Sequence, residues 1–137
     1  MTKLASLALA LALIGAGCDN SGSDTTPDAL PLTTETFSGS VDPLGLASHR
    51  FTVARQGEVD ITLTVAGPPA TITMGLGVGT PSSTGCDLNI SGGSVAAQAG
   101  AVPQLVGTAA AGELCVAVYD IGNQTAAVAY TVTVAHP

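Results

Sequence analysis

From Thr34 onwards the chain alternates apolar and polar residues with a period of two, and turn residues interrupt the alternation at short intervals. Such a pattern predicts β-strands that bury one face and expose the other. The clearest predicted strand covers residues 58–66. Its expected inward side chains are Val59, Ile61, Leu63 and Val65, and its expected outward side chains are Asp60, Thr62 and Thr64.

The same pattern predicts further strands along the rest of the chain, and no helix signal follows the first eighteen residues. Short strands at this spacing are typical of a sandwich, so we predict an all-β, antiparallel, jelly-roll-like β-sandwich of seven or eight strands. Glycines alternate through 71–79, which predicts a covering loop or close backbone approach there. The last strand is expected to bury Val128, Tyr130, Val132 and Val134. The further predicted strands are 34–40, 48–54, 71–79, 86–91, 113–121 and 127–135, with weaker signals in 92–111 near Leu105 and Val106.

The first residues have the pattern of a signal peptide. Lys3 precedes an apolar run over 4–14, and small residues lead into Cys18. The run is shorter than the roughly 20 residues of a membrane span. Residues 14–18 (IGAGC) resemble the bacterial lipobox, which implies cleavage after residue 17 and a diacylglycerol on the Cys18 thiol. The alternative is an ordinary signal peptide that leaves Cys18 free or disulfide-bonded.

Residues 18–33 are rich in Ser, Thr, Asp, Gly and Pro, a composition that buries too little apolar surface to order a chain. We predict a lipoprotein signal peptide at 1–17, a lipidated, disordered tether at 18–33 and the β-sandwich domain at 34–137. The lipobox resemblance implies a lipid-anchored protein of the bacterial cell envelope. The outer membrane or cell surface is favoured, with the domain in the periplasm or outside the cell.

Charge excludes one class of partner. The chain has a formal net charge of −7, and after removal of 1–17 only Arg50 and Arg55 oppose ten carboxylates. Nucleic-acid binding relies on cations that neutralise phosphates, so we predict no nucleic-acid partner. An electrostatic grip on anionic lipid is disfavoured for the same reason. Contact with the membrane is therefore expected through the lipid on Cys18 alone.

The remaining cysteines, Cys86 and Cys115, form an even pair in an exported chain, which predicts a disulfide. A thiol nucleophile or a metal pair is the alternative, but His49 and His136 are far apart in sequence. Alternation places Cys86 in phase with an inward Leu88 and Cys115 out of phase with an inward Leu114. A bulge or strand end near Cys86 is therefore expected.

Catalytic chemistry has no supporting pattern. A nucleophile, a base and an orienting group are not arranged together, and we predict no catalytic residue, no cofactor and no enzyme activity. Asp60 and Asp120 are expected in solvated positions, and His49 at a strand end. Metal-ligand spacing is missing, so no metal site is predicted; calcium on Asp42 or Asp87 remains an alternative.

Several segments resemble bacterial pre-peptidase C-terminal domains. Residues 37–40 (FSGS), 49–53 (HRFTV) and 57–63 (GEVDITL) resemble their opening, and 112–119 (GELCVAVY) and 130–134 (YTVTV) resemble their closing strand pair. This resemblance implies a jelly-roll-like sandwich without catalysis of its own. We expect a monomeric interaction module for an envelope protein or glycan. The alternative is a structural envelope component displayed in bulk.

Overall fold

The computed structural model describes residues 30–137, which form nine antiparallel strands and no helix. Two sheets share one hydrophobic core, so the predicted all-β sandwich is confirmed. The predicted signal peptide, Cys18 and the tether up to residue 29 lie outside the described residues. The strands are β1 (Thr33–Val41), β2 (Leu46–Val53), β3 (Gly57–Gly67), β4 (Met74–Ser82), β5 (Gly85–Asp87), β6 (Ser94–Ala97), β7 (Leu105–Ala109), β8 (Gly112–Tyr119) and β9 (Val128–His136).

One sheet has the order β1-β9-β3-β7, and the other has the order β2-β8-β4 with β5 and β6 paired to successive parts of β4. The count of nine exceeds the predicted seven or eight. The additional strand is β6, which lies in the segment with weak signals, whereas β7 begins where Leu105 and Val106 predict a strand. Pairing with β4 orders β6, although its own sequence is rich in alanine.

The core confirms the predicted inward face of β9 but only part of that of β3. Val59, Ile61 and Leu63 are buried, whereas Val65 is 53% exposed, so its predicted inward position is wrong. The register with β9 shifts between Leu63 and Val65, which turns the strand so that Ala66 enters the core instead. On β9, all four predicted core side chains are buried: Val128, Tyr130, Val132 and Val134.

The outer face of β3 also departs from the prediction. Thr62 was expected in water but is only 8% exposed. The strand lies in the interior of its sheet, between β9 and β7, and Thr62 is paired with Thr133 of β9. Alternation tells which side of a sheet a residue faces, but it does not tell how far neighbouring strands shield that side.

The bare outer face of the glycine-rich strand β4 is covered, as predicted. The Tyr119 ring lies where a side chain on Gly75 would be, Leu88 covers Gly77, and the backbone of Asp87 reaches Gly79. The predicted inward position of Leu88 is therefore wrong. The turn from β4 into β5 folds this segment back over the outer face of the sheet.

A disulfide joins Cys86 of β5 to Cys115 of β8, with an S–S distance of 2.04 Å, which confirms the predicted pair. Cys115 is buried although it faces away from the core, because the β4–β5 hairpin covers it. Since Leu88 also lies on the outer face, the two cysteines are in phase. Of the two features expected near Cys86, the strand end is present, because β5 ends at Asp87, and a bulge is not needed to bring the cysteines together.

On the side opposite β7, polar and aromatic side chains connect the two sheets between edge strands β1 and β2. His49 Nε2 lies 2.7 Å from the Tyr130 hydroxyl oxygen, and the Phe37 ring stacks on the His49 ring at 4.7 Å. The prediction that His49 caps a strand end is wrong, because His49 lies within β2 and faces the opposing sheet. Burial lowers the pKa of His49 and raises the pKa of Tyr130, so both are neutral at pH 7.

The lowered pKa of His49 predicts a loss of stability in mild acid. The unfolded chain binds the proton more readily than the folded chain, so stability falls as pH drops below about 6.5 towards the folded value. His49→Gln keeps an amide that can bond the Tyr130 hydroxyl but cannot titrate. We expect wild-type urea midpoints to fall more steeply than those of His49→Gln between about pH 6.5 and pH 5. The neighbouring pair of Glu35 and His136 is present in both proteins, and equal slopes would contradict the role of His49.

Candidate functional site at the loop end of the sandwich

The sandwich has two distinct ends. One end, here called the tether end, contains Leu30, the β2–β3 turn and Pro137. There Arg55 Nη2 donates to the Leu30 carbonyl at 3.1 Å, and the Ala54 N–H donates to the Pro137 carbonyl at 2.9 Å. The other end, here called the loop end, consists of the β1–β2 turn, the β3–β4 loop and the β8–β9 loop. Strand β1 runs from one end to the other and separates them by roughly 30 Å.

Asp120 fastens two of the loops together. Its Oδ2 accepts the N–H of Leu44 at 2.8 Å, and its Oδ1 accepts the N–H groups of Gly122, Asn123 and Gln124 at 2.9, 3.1 and 3.2 Å. The N–H of Leu44 above all, with those of the β8–β9 loop, holds the pKa of Asp120 below its usual value, although desolvation acts in the opposite direction. The carboxylate therefore orders the loop end while it is ionised.

Leu44 is held in an unusual position by this junction. Its φ is 61°, in the left-handed region, and its side chain is 88% exposed. The turn is closed by the Gly45 N–H, which donates to the Asp42 carbonyl at 2.8 Å, and the Asp120 N–H donates to the Gly45 carbonyl at 3.0 Å. The left-handed conformation costs a leucine roughly 1–2 kcal/mol, so the surrounding hydrogen bonds impose a backbone conformation that Leu44 would not adopt by itself.

The strain at Leu44 predicts a stabilising substitution. Leu44→Gly removes the penalty of the left-handed conformation and loses little buried surface. Glycine also gives the unfolded chain more conformational entropy, which offsets part of this benefit. We therefore expect the free energy of unfolding to rise by about 0.5–1 kcal/mol. Leu46→Gly is the matched control, because Leu46 lies in regular strand β2, where glycine is destabilising. Urea unfolding measures the stability of both variants. If Leu44→Gly destabilises the protein as much as Leu46→Gly, Leu44 is not strained.

Two more aliphatic side chains accompany Leu44. Leu46 is 49% exposed and Ile121 is 45% exposed. The three residues adjoin the hydrogen bond between Asp120 and Gly45, and we call them the apolar patch. Single exposed apolar residues are ordinary, but several on ordered loops are typical of an interaction surface.

A cleft of about 310 Å³ lies between the β3–β4 and β8–β9 loops at the same end. The Asn123 side chain donates to the Thr73 carbonyl at 3.0 Å and joins the two loops. The three loops carry Asp42 and Asp120 but no lysine or arginine. The loop end therefore offers aliphatic, hydroxyl and amide groups with a slightly acidic balance. The cleft is lined by Pro68, Pro69, Thr71, Ile72, Thr73, Asn123, Thr125, Ala126 and Val128.

The other residues considered from the sequence are scattered. Asp60 is in β3 and Asp120 follows β8, so the two aspartates belong to different sheets. Asp42 lies in the β1–β2 turn, whereas Asp87 ends β5 on the outer face. Within residues 30–137, no three His, Cys, Asp or Glu side chains are grouped so that they could hold a metal ion. No helix in that range is long and apolar enough to cross a membrane.

Sequence reasoning missed Leu44, although one local signal was available. Residues 42–45 (DPLG) form a turn signature in which proline and glycine flank one large apolar residue. A leucine in such a turn is expected at the surface, because connecting segments run over the outside of a domain. No protein-family model and no curated protein matches this chain, so the case for a function rests on its own residues.

Proposed function

We propose that this protein is a lipid-anchored, non-catalytic lipoprotein of the bacterial cell envelope, and that its β-sandwich is an interaction module. The observation that carries the proposal is Leu44, an exposed leucine held in a left-handed turn by Asp120. A structural component displayed in bulk needs only a uniform hydroxyl-bearing surface. The apolar patch departs from such a surface and favours a specific partner.

The position of Leu30, which follows the predicted tether, supports an outward-facing site. Leu30 lies at the tether end, so a lipid on Cys18 brings that end towards the membrane. At full extension residues 18–29 reach at most roughly 40 Å. The loop end lies roughly 30 Å further from the anchor, which leaves it the more accessible end for an envelope protein or glycan. Resemblance to pre-peptidase C-terminal domains agrees with a binding role, and the outer membrane or cell surface is the proposed location.

The anchor is tested at Cys18. We expect Cys18→Ala to abolish incorporation of a fatty-acid analogue and to leave an uncleaved or mislocalised precursor, because the thiol is the proposed attachment site. Metabolic labelling followed by gel fluorescence measures this directly. Ser21→Ala, a nearby change without a thiol, should keep wild-type labelling. Label retained on the Cys18 variant would contradict lipidation at this position.

The binding role is tested with Leu44→Gly, which keeps the fold and removes the exposed side chain. We expect a partner retained from envelope extracts by the wild type to be reduced at least about tenfold, the equivalent of 1.4 kcal/mol. Val102→Gly is the matched control, since Val102 is an exposed apolar loop residue outside the loop end. Equal recovery by the wild type and Leu44→Gly would contradict binding through the apolar patch.

A further inference from the structure

The β7 edge of the first sheet is unpaired. Strand β7 pairs with β3 through residues 105–109, and no strand among the described residues pairs with its other edge. Free strand edges invite pairing with another chain, and natural sheets usually block them with charges, proline or bulges. β7 carries no charged residue and no proline, and its register with β3 is regular. The edge is therefore unprotected.

Charged residues are missing from the edge segment itself, although the neighbouring strand β3 carries Glu58 and Asp60, opposite Thr108 and Val106. Residues 88–112, which include β6 and β7, contain no Asp, Glu, Lys or Arg, although the chain has a net charge of −7. Two copies of an acidic protein repel each other wherever their carboxylates meet. At the β7 edge no carboxylates meet directly, because Glu58 and Asp60 lie one strand behind the edge.

An apolar cleft opens beside β7. It has a volume of about 240 Å³ and separates β7 from residues 90–93. Val106 is 55% exposed on the strand itself, the exposed Ile90 lines the same cleft, and the exposed Val102 precedes Val106 by four residues. The free backbone edge is thus accompanied by apolar surface, as strand addition requires. Aliphatic side chains line the cleft: Val59, Ile61, Val78, Ile90, Leu105 and Leu114.

We propose that β7 pairs antiparallel with β7 of a second copy, around a twofold axis at Gly107. In this register Leu105 faces Ala109 of the second copy, and Val106 faces its Thr108, a favourable β-branched pair. A Cβ added at Gly107 meets nothing within 4 Å, so the centre of the seam is open. The two four-stranded sheets become one continuous sheet, and the protein is a dimer rather than the monomer predicted from the sequence. This inference does not depend on the loop end.

Pairing by a strand of five residues is weak. Stable interfaces bury at least about 1,200 Å², and one short edge supplies less. The dimer is therefore expected to dissociate and re-form readily. Covalent trapping is therefore the suitable measurement. Gly107→Cys in the full-length chain, expressed in cells that export it, places two thiols opposite each other across the twofold axis. Opposite residues have Cβ atoms about 4.5–5.5 Å apart, close to the distance of a disulfide.

After thiols are blocked, non-reducing electrophoresis should show a species of twice the monomer mass that reduction removes. Thr36→Cys is the control for random collision, because Thr36 is exposed on the opposite edge strand of the same sheet. The amount of disulfide-linked dimer that this variant forms should be at least about tenfold lower. A Gly107→Cys protein that stays monomeric, that dimerises no better than Thr36→Cys, or that links to a different protein would overturn the proposal.

A second substitution tests whether the seam is specific. Val106→Glu on the Gly107→Cys background adds a carboxylate beside Asp60 on both sides of the seam and should lower the trapped dimer at least about tenfold. Val65→Glu is its matched control, because Val65 is exposed to a similar extent (53%, against 55% for Val106) but lies on β3, away from the edge. Wild-type thermal midpoints for both glutamate variants exclude misfolding. Equal dimer yields for the two would overturn the β7 pairing.

Discussion

Leu63→Ala is expected to lower the free energy of unfolding by about 2–5 kcal/mol, because Leu63 is fully buried in the core between the two sheets. Val65→Ala, two residues further along the same strand, should cost under about 1 kcal/mol. Its side chain is 53% exposed after the register shift against β9. Urea midpoints of both variants and the wild type measure the difference.

This pair of variants distinguishes the observed β3, whose faces reverse after Leu63, from a strand with uninterrupted alternation. An uninterrupted strand places residues 63 and 65 on the same buried face, and both truncations are then costly. Thr62→Ala is a poorer control, since Thr62 is only 8% exposed. Equal losses at positions 63 and 65 would contradict the bulge in β3.

Removing the disulfide should have a comparable effect. The Cys86→Ala/Cys115→Ala double variant is expected to lose about 3–4 kcal/mol, because the bond closes a loop of 29 residues in the unfolded chain. In the folded chain it holds the β4–β5 hairpin over β8 and over the glycines of β4. Urea unfolding measures the loss, and the double variant avoids a single unpaired thiol.

Reduction supplies the control for this prediction. Wild-type protein unfolded in the presence of a reductant should approach the stability of the double variant, since both lack the cross-link. The double variant should not change with reductant. A double variant as stable as the oxidised wild type would contradict a stabilising role of the bond.

The parts of the fold that were predictable are those in which local pattern and burial agree. Alternation identified β9 and its four buried side chains because β9 keeps one regular register with β1. It failed at Val65, where a bulge reverses the faces, and at Leu88, which covers a glycine instead of entering the core. Both failures arise from contacts with other strands, which the local sequence does not encode.

The candidate site shows the same division. The disulfide followed from an even pair of cysteines in a chain that its first residues predict to be exported. The exposure of Leu44 depends instead on Asp120, which lies 76 residues away in the sequence. His49 likewise acquires its role from Tyr130 on the opposing sheet. Residues whose function depends on a partner from a distant strand cannot be recognised from their own segment.

Cross-linking in the intact envelope tests the central claim, that the loop end meets the partner while the tether end faces the membrane. A photo-reactive residue at position 44 is compared with one at position 56, in the exposed β2–β3 turn of the tether end. We expect a discrete adduct of one mass from position 44 and no such adduct from position 56. The same adduct from both positions, or none from position 44, would contradict it.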